Sequence, residues 1–171
     1  LSMSVGKLQY LLPEHKRIVF GYPRCDHLLN NPKLKDKKVS REIVSSIDKN
    51  DKVILYSPTW RFFDQRISFP LSKINDFSFE HLDAFLIENK AFLLVSKHPA
   101  TKEVIDVSSF KRIKFIPFDP LFEINNLLPE VDCLITDYSS IATDFLLLKR
   151  PIIYVMPDYD IYFKKIGLLE D

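Results

Sequence analysis

Glycine is nearly missing from this chain. Three stand among 171 residues, at Gly6, Gly21 and Gly167, so neither the G-x-G-x-x-G turn of a dinucleotide-binding domain nor a Walker A loop is present. Cysteine is as scarce. Cys25 and Cys133 are the only two, and neither belongs to a C-x-x-C pair, which removes the usual zinc motifs. Asp158 and Asp160 lie close together but without histidine or further carboxylate company, so no metal and no cofactor is expected. Two lone thiols fit a reducing, cytoplasmic setting, and Cys133, inside an apolar run, reads as a small core residue.

Surplus charge is lacking too. Lysine and arginine number 24 and aspartate and glutamate 23, a net +1, which weighs against nucleic acid as a partner, since that requires a strongly basic face. No apolar run approaches the ~18 residues of a membrane span. The first twelve residues hold one lysine and no sustained apolar stretch, so no signal peptide is expected. The chain opens Leu-Ser-Met-Ser, and is expected to be cut out of something longer.

What the chain does contain is core material. Hydrophobic residues make up 46% and charged residues 27%, enough for one sizeable domain with a wet surface. Short apolar runs read as buried parallel strands at residues 18–20 (IVF), 52–56 (KVILY), 91–95 (AFLLV), 113–116 (IKFI), 131–136 (VDCLIT) and 151–155 (PIIYV). Helical spacing falls between them, at residues 37–48, 79–89, 121–128 and 139–148. The last has a serine at its start and Pro151 just beyond its end. Strands alternating with helices predict an α/β domain: one parallel sheet with helices on both faces, spanning residues 1–171. Residues 61–77, with charge, aromatics and Pro70, read as a functional loop or short insertion. The basic run at residues 33–38 (KLKDKK) reads as a solvated helix entry, the alternative being contact with an anionic membrane.

Ligands of open parallel sheets gather at the carboxyl ends of the strands. There the chain places Ser57-Pro58-Thr59-Trp60-Arg61, Ser96-Lys97-His98-Pro99, Pro117-Phe118-Asp119 and Asp137-Tyr138-Ser139-Ser140. This edge is suited to a phosphorylated ligand. Around Thr136 to Ser140 a strand ends and a helix begins with two hydroxyls in its first turn, which offers donors to a phosphate or simply a helix cap. Arg61 is placed to clamp a diphosphate with two prongs, or else rests on Trp60 at the surface. Pro99 biases His98 towards an extended backbone, holding the imidazole at the rim of the sheet, where it serves as an acid, a base or a phosphate donor. Asp144 shares a helical face with Ser140. It is either an acceptor for ribose hydroxyls, a solvated charge, or a partner for Lys149 or Arg150.

Five stretches, in this order, carry a resemblance. They are Gly21-Tyr22-Pro23-Arg24-Cys25-Asp26; Leu55-Tyr56-Ser57-Pro58-Thr59-Trp60-Arg61; Lys97-His98-Pro99; residues 134–145 (LITDYSSIATDF); and Lys149-Arg150-Pro151-Ile152-Ile153-Tyr154. Together they resemble the CDP-glycerol glycerophosphotransferases of teichoic-acid synthesis, over residues 21 to 162. Each stretch alone is weakly diagnostic; the ordered series is specific.

The resemblance implies the C-terminal, donor-binding half of a GT-B-type glycosyltransferase fold built of two Rossmann-like domains. It implies a CDP-glycerol or CDP-ribitol donor and a polyprenyl-linked or poly(polyol phosphate) acceptor. It places the enzyme peripherally at the inner, cytoplasmic face of the membrane, where polyol-phosphate is transferred and CMP released. By the same resemblance His98 is the catalytic histidine. Arg61, Thr59, Lys97, Thr136, Asp137, Ser139 and Ser140 surround the donor phosphates, and Asp144 lies near the ribose. In this sequence Lys97 directly precedes His98, where the family often has an apolar residue between the two. The family's other catalytic histidine belongs to an N-terminal domain, and His15, His27 and His81 stand in no matching motif. The chain alone is therefore expected to bind donor but turn over poorly.

Two other readings stay open. The first is the donor half of a GT-B glycosyltransferase that uses a nucleotide sugar. The second is a non-enzymatic, receiver-like binding module, against which the strand ends offer Ser-Pro-Thr and Lys-His-Pro in place of an acidic pair and a phospho-acceptor aspartate.

Overall fold

The computed structural model describes residues 13–16, 22–26, 28, 43, 45, 47–61, 63, 69–98, 100, 101, 105–117 and 122–166. Within them the apolar runs form five strands: β1 (Lys52–Ser57), β2 (Ala91–Val95), β3 (Ile113–Phe115), β4 (Cys133–Thr136) and β5 (Ile152–Tyr154). Three α-helices accompany them: α1 (Phe79–Glu88), α2 (Ile141–Phe145) and α3 (Tyr159–Ile166). All pairings are parallel and the strand order is β3-β2-β1-β4-β5. This is the open, doubly wound order in which the chain reverses direction across the sheet between β1 and β4.

Side chains alternate across each strand, so the sheet feeds two cores. Val53, Leu55, Phe92, Leu94 and Leu134 point to one face, where Ile141, Ala142 and Phe145 of α2 cover them. Tyr56, Leu93, Val95 and Ile113 point to the other, covered by Leu86 of α1 and by Phe69. The parallel α/β sheet with helices on both faces is the expected fold class. Burial on both sides is why β1 and β2 read as apolar runs, whereas β5, expected to be buried, is an edge strand that leaves Ile153 and Tyr154 exposed. The helix α1 starts where Ser78 Oγ accepts the His81 N–H at 3.2 Å, a side-chain cap on an otherwise orphaned donor.

With glycine so scarce, left-handed positions fall to other residues. Lys90 (φ 49°) ends the turn after α1, and Lys149 (φ 54°) ends the 3-10 turn Leu146–Leu148 ahead of Pro151. Each carries a strain on the order of 1 kcal/mol that glycine would not.

Several elements differ from expectation. The helix read over residues 139–148 is only five α-helical residues followed by the 3-10 turn. The helix read over residues 121–128 is two 3-10 turns, Ile124–Asn126 and Leu128–Glu130. Pro129 lacks the N–H an α-helix would need there. The described part of the 61–77 loop is partly structural: Phe69 is fully buried, its ring 5.0 Å edge-on from Tyr56. The helix α3 was not expected at all. The strand at residues 18–20 and the basic run at 33–38 lie outside the described residues. Of the helix at residues 37–48 only its last part is described, with Ile43 and Ile47 buried in the first core.

Cys25 is buried and Cys133 half-buried, both as free thiols. Among the described residues no helix is long and apolar enough to cross a membrane, and no cluster suited to a metal ion occurs.

Candidate functional site

The carboxyl ends of β1, β2 and β4 open into a cavity of about 620 Å3 at the point where the strand order reverses, a size that holds a small organic ligand. β1 contributes Ser57, Pro58, Thr59 and Trp60 to its wall. β2 contributes Ser96, Lys97 and His98, and β4 contributes Tyr138, Ser139 and Ser140. Beyond β3, Ile116, Pro117, Phe122 and Ile124 complete an apolar side. Hydroxyl and cationic groups thus share the lining with apolar and aromatic side chains. Thr59 Oγ1 and the Tyr138 hydroxyl, both from lining residues, are buried without a hydrogen-bond partner among the described residues. Buried polar atoms of that kind call for a partner of some sort.

His98 is exposed at the rim. Its Nδ1 accepts the Ala100 N–H at 3.2 Å, which puts the ring proton on Nε2 and makes that edge a donor. The imidazole lies flat on the indole of Trp60, with centroids 4.8 Å apart and planes 13° from parallel. Ser139 Oγ lies 3.4 Å from the Ile141 N–H, and no side chain caps the helix at Ser140. Five residues make a short dipole, so what this turn offers an anion is its hydroxyls more than its helix.

Arg61, Thr136, Asp137 and Asp144 are not in the cavity wall, and each has an evident internal task. Arg61 is fully buried, not a surface fork. Its Nε and Nη2 grip both oxygens of Asp158 at 2.7 and 2.9 Å, and Nη1 donates to the Thr59 carbonyl at 2.5 Å. Nη2 also lies 2.8 Å from Asp137 Oδ2, an ion pair rather than an aligned hydrogen bond. The cation rests beside the stacked rings of Tyr138 and Tyr162. Burial works against the guanidinium charge, but the Asp158 and Asp137 carboxylates outweigh it and hold its pKa above the ordinary arginine value. The same burial, beside Asp158, pushes the Tyr138 phenol up to about 12, so it stays neutral.

Asp137 accepts the backbone N–H groups of Thr59 at 2.8 Å and of Tyr138 at 2.6 Å through one oxygen, stapling the β1 loop to the β4 loop. Thr136 Oγ1 donates to the Ser57 carbonyl at 2.7 Å, across the strand pair where the order reverses. These two residues, expected at the phosphates, shape the loops that reach the cavity.

Asp144 is buried, and its partner is neither Lys149 nor Arg150. Arg24 meets it with Nε at 3.0 Å and Nη2 at 3.3 Å, Asn125 Nδ2 donates at 2.7 Å, and the Cys25 thiol donates at 3.1 Å. Burial raises its pKa, but those hydrogen bonds outweigh burial and hold the carboxyl below the ordinary carboxylate range. Cys25 is pushed up by burial and then by the neighbouring carboxylate, which keeps the thiol protonated as a donor. Asp144 thereby ties the segment at Arg24 and Cys25, and the turn at Asn125, to α2. Both of its oxygens are engaged in this way.

Sequence reasoning missed Asp158 and Tyr162. Their signal was readable: Tyr159, Tyr162, Phe163 and Ile166 recur at helical spacing after Pro157. The reach of Asp158 to Arg61, 97 residues away, leaves no local trace.

Comparison with known proteins identifies the family. The family model of CDP-glycerol:poly(glycerophosphate) glycerophosphotransferase matches residues 3–171. The teichoic acid ribitol-phosphate polymerase TarL of Staphylococcus aureus is 30% identical over 152 residues, 88% of this chain and 26% of its own. The teichoic acid poly(glycerol phosphate) polymerase of Bacillus spizizenii is 34% identical over 144 residues, covering 83% and 35%. The teichoic acid glycerol-phosphate primase of Bacillus subtilis is 31% identical over 170 residues, covering 98% and 40%. A solved structure of the wall teichoic acid polymerase TagF superposes with a TM-score of 0.71 at 28% identity, over 98% of this chain and 40% of that one. A histidine variant of that polymerase soaked with CDPG gives 0.71 as well, over 98% and 38%. The chain spans between about a quarter and two fifths of the length of these relatives. With the family model running nearly end to end, the chain belongs to the CDP-glycerol:poly(glycerophosphate) glycerophosphotransferase family.

Proposed function

We propose that this chain is the donor-binding part of a polyol-phosphate transferase, and that the cavity at the strand reversal holds a CDP-linked glycerol or ribitol phosphate. The observation that carries the reading is the meeting of Lys97, His98, Ser139 and Ser140 in the lining of that cavity. Two cationic or proton-donating groups and two hydroxyls there suit a diphosphate, while the apolar side at Phe122 and Ile124 suits a flat base.

The chemistry follows from the charges. The acceptor hydroxyl attacks the phosphorus that bears the polyol, the bond from that phosphorus to the oxygen of CMP breaks, and CMP leaves carrying the bonding pair. Phosphoryl transfer of this kind needs charge neutralisation and alignment, not a covalent intermediate. His98 presents a proton on Nε2, so its place is at the departing CMP oxygen or a bridging phosphate oxygen. Removing the proton from the acceptor falls to a base elsewhere, which the family resemblance puts in an N-terminal domain. Arg61, Asp137 and Thr136 act behind the wall, and Asp144 behind α2. The acceptor is a polyprenyl-linked or poly(polyol phosphate) chain, met with the enzyme peripheral to the inner face of the membrane.

Calorimetric titration of the chain with CDP-glycerol, CMP and UDP-N-acetylglucosamine tests the reading. The cytidine ligands are expected to bind and the uridine ligand not to. His98→Ala and Ser139→Ala are expected to weaken CDP-glycerol while leaving the melting temperature within a few degrees. Preference for the uridine ligand would keep the fold and overturn the donor, in favour of a nucleotide sugar.

A further inference from the structure

We propose that Trp60 is the positioning residue for His98, an inference that rests on the donor-binding reading above. His98 stands exposed at the end of β2 with one hydrogen bond, from Ala100, to its ring. A side chain so placed samples several rotamers on the picosecond-to-nanosecond scale unless a packing surface selects one. The indole of Trp60 is that surface, lying 13° from parallel at 4.8 Å.

The indole has a rigid base. The backbone N–H of Thr59 is held by Asp137, the Thr59 carbonyl by Arg61, and Arg61 by both oxygens of Asp158. Trp60 therefore sits between two neighbours anchored to a buried ionic cluster. With one face of the imidazole on the indole and Nδ1 engaged by Ala100, the Nε2 edge is the one left for a phosphate oxygen, and both rings line the cavity. The cluster around Arg61 thus acts on donor through Trp60 and then His98, and Trp60 itself needs no contact with the donor.

The test is a double-mutant cycle with two readouts: CDP-glycerol affinity by calorimetry, and the ring-current shift of the His98 Hε1 resonance without ligand. Trp60→Leu is expected to weaken CDP-glycerol by up to about tenfold, the size of an aromatic stack. Trp60→Phe is expected to recover most of that loss. Trp60→Leu is expected to have no further effect once His98→Ala is present, because coupled residues are non-additive. The His98 resonance is expected to move towards its free position in Trp60→Leu and much less in Trp60→Phe. If wild type binds and His98→Ala weakens binding, but Trp60→Leu costs the same in both backgrounds, the positioning role is refuted while the donor reading stands. An unmoved His98 resonance in Trp60→Leu would refute it as well. If the resonance moves as expected but wild type binds no CDP-glycerol, the donor reading fails and takes this inference with it.

Discussion

Arg61→Ala separates an internal strut from a ligand clamp. The wild-type guanidinium is fully buried with Asp137, which is 1% exposed, and Asp158, which is 12% exposed. Removing it leaves two carboxylates facing one another and the Thr59 carbonyl without its donor. Breaking a buried pair from one side costs about 3–5 kcal/mol, since the desolvated partner remains. A domain of this size has roughly 5–15 kcal/mol in hand, so Arg61→Ala removes a large part of its stability. Arg61→Lys keeps the charge but not the planar fork, and a single ammonium cannot hold Asp158 by both oxygens while also reaching Asp137. It is expected to fall between wild type and alanine. Trp60 is the only tryptophan and is next in sequence, so urea unfolding followed by its fluorescence reads the cluster directly. If Arg61→Ala lowers stability by less than about 1 kcal/mol yet abolishes CDP-glycerol binding, the strut is wrong and the diphosphate clamp expected from sequence is right.

Two further outcomes follow from the same geometry. Asp144 is held below the ordinary carboxylate range, so its contribution is complete above the unfolded value near ~3.9 and is lost as pH falls through the lower folded value. Asp144→Asn is expected to cost about 1–3 kcal/mol at neutral pH, and the gap to wild type should narrow below about pH 4. A gap that stays constant down to acid unfolding would mean that the Arg24, Cys25 and Asn125 contacts do not depend on its charge. Phe69→Ala is expected to destabilise by about 3–5 kcal/mol with CDP-glycerol affinity unchanged in the folded fraction. A loss of affinity without loss of stability would return the loop at residues 61–77 to a purely functional role.

The sheet was legible because a parallel strand buried on both faces has only one way to look, and the KVILY, AFLLV and CLIT runs have it. The edge of the sheet was legible for the related reason that strand ends are where polar residues interrupt such runs. Hence Thr59, Lys97, His98, Ser139 and Ser140 line the cavity. What the pattern did not carry was which of those polar residues turn inward. An arginine after a strand reads as exposed because burying its charge is expensive. Asp158, contributed by the helix start 97 residues later, makes the burial possible together with Asp137. The burial of Asp144 left no local trace for the same reason, as its partners Arg24 and Cys25 lie about 120 residues away. Phe69 was passed over because a single aromatic in a charged loop has no period to betray it.

The central claim is that the donor lies at the strand reversal with its phosphates against His98, Ser139 and Ser140, and a crystal of this chain soaked with CDP-glycerol tests it most directly. Diphosphate oxygens are expected within hydrogen-bond distance of His98 Nε2 and a serine hydroxyl, the base along Phe122 and Ile124, and Arg61 still enclosed by Asp137 and Asp158. Donor density at the opposite edge of the sheet, or phosphates paired to a swung-out Arg61, would contradict it.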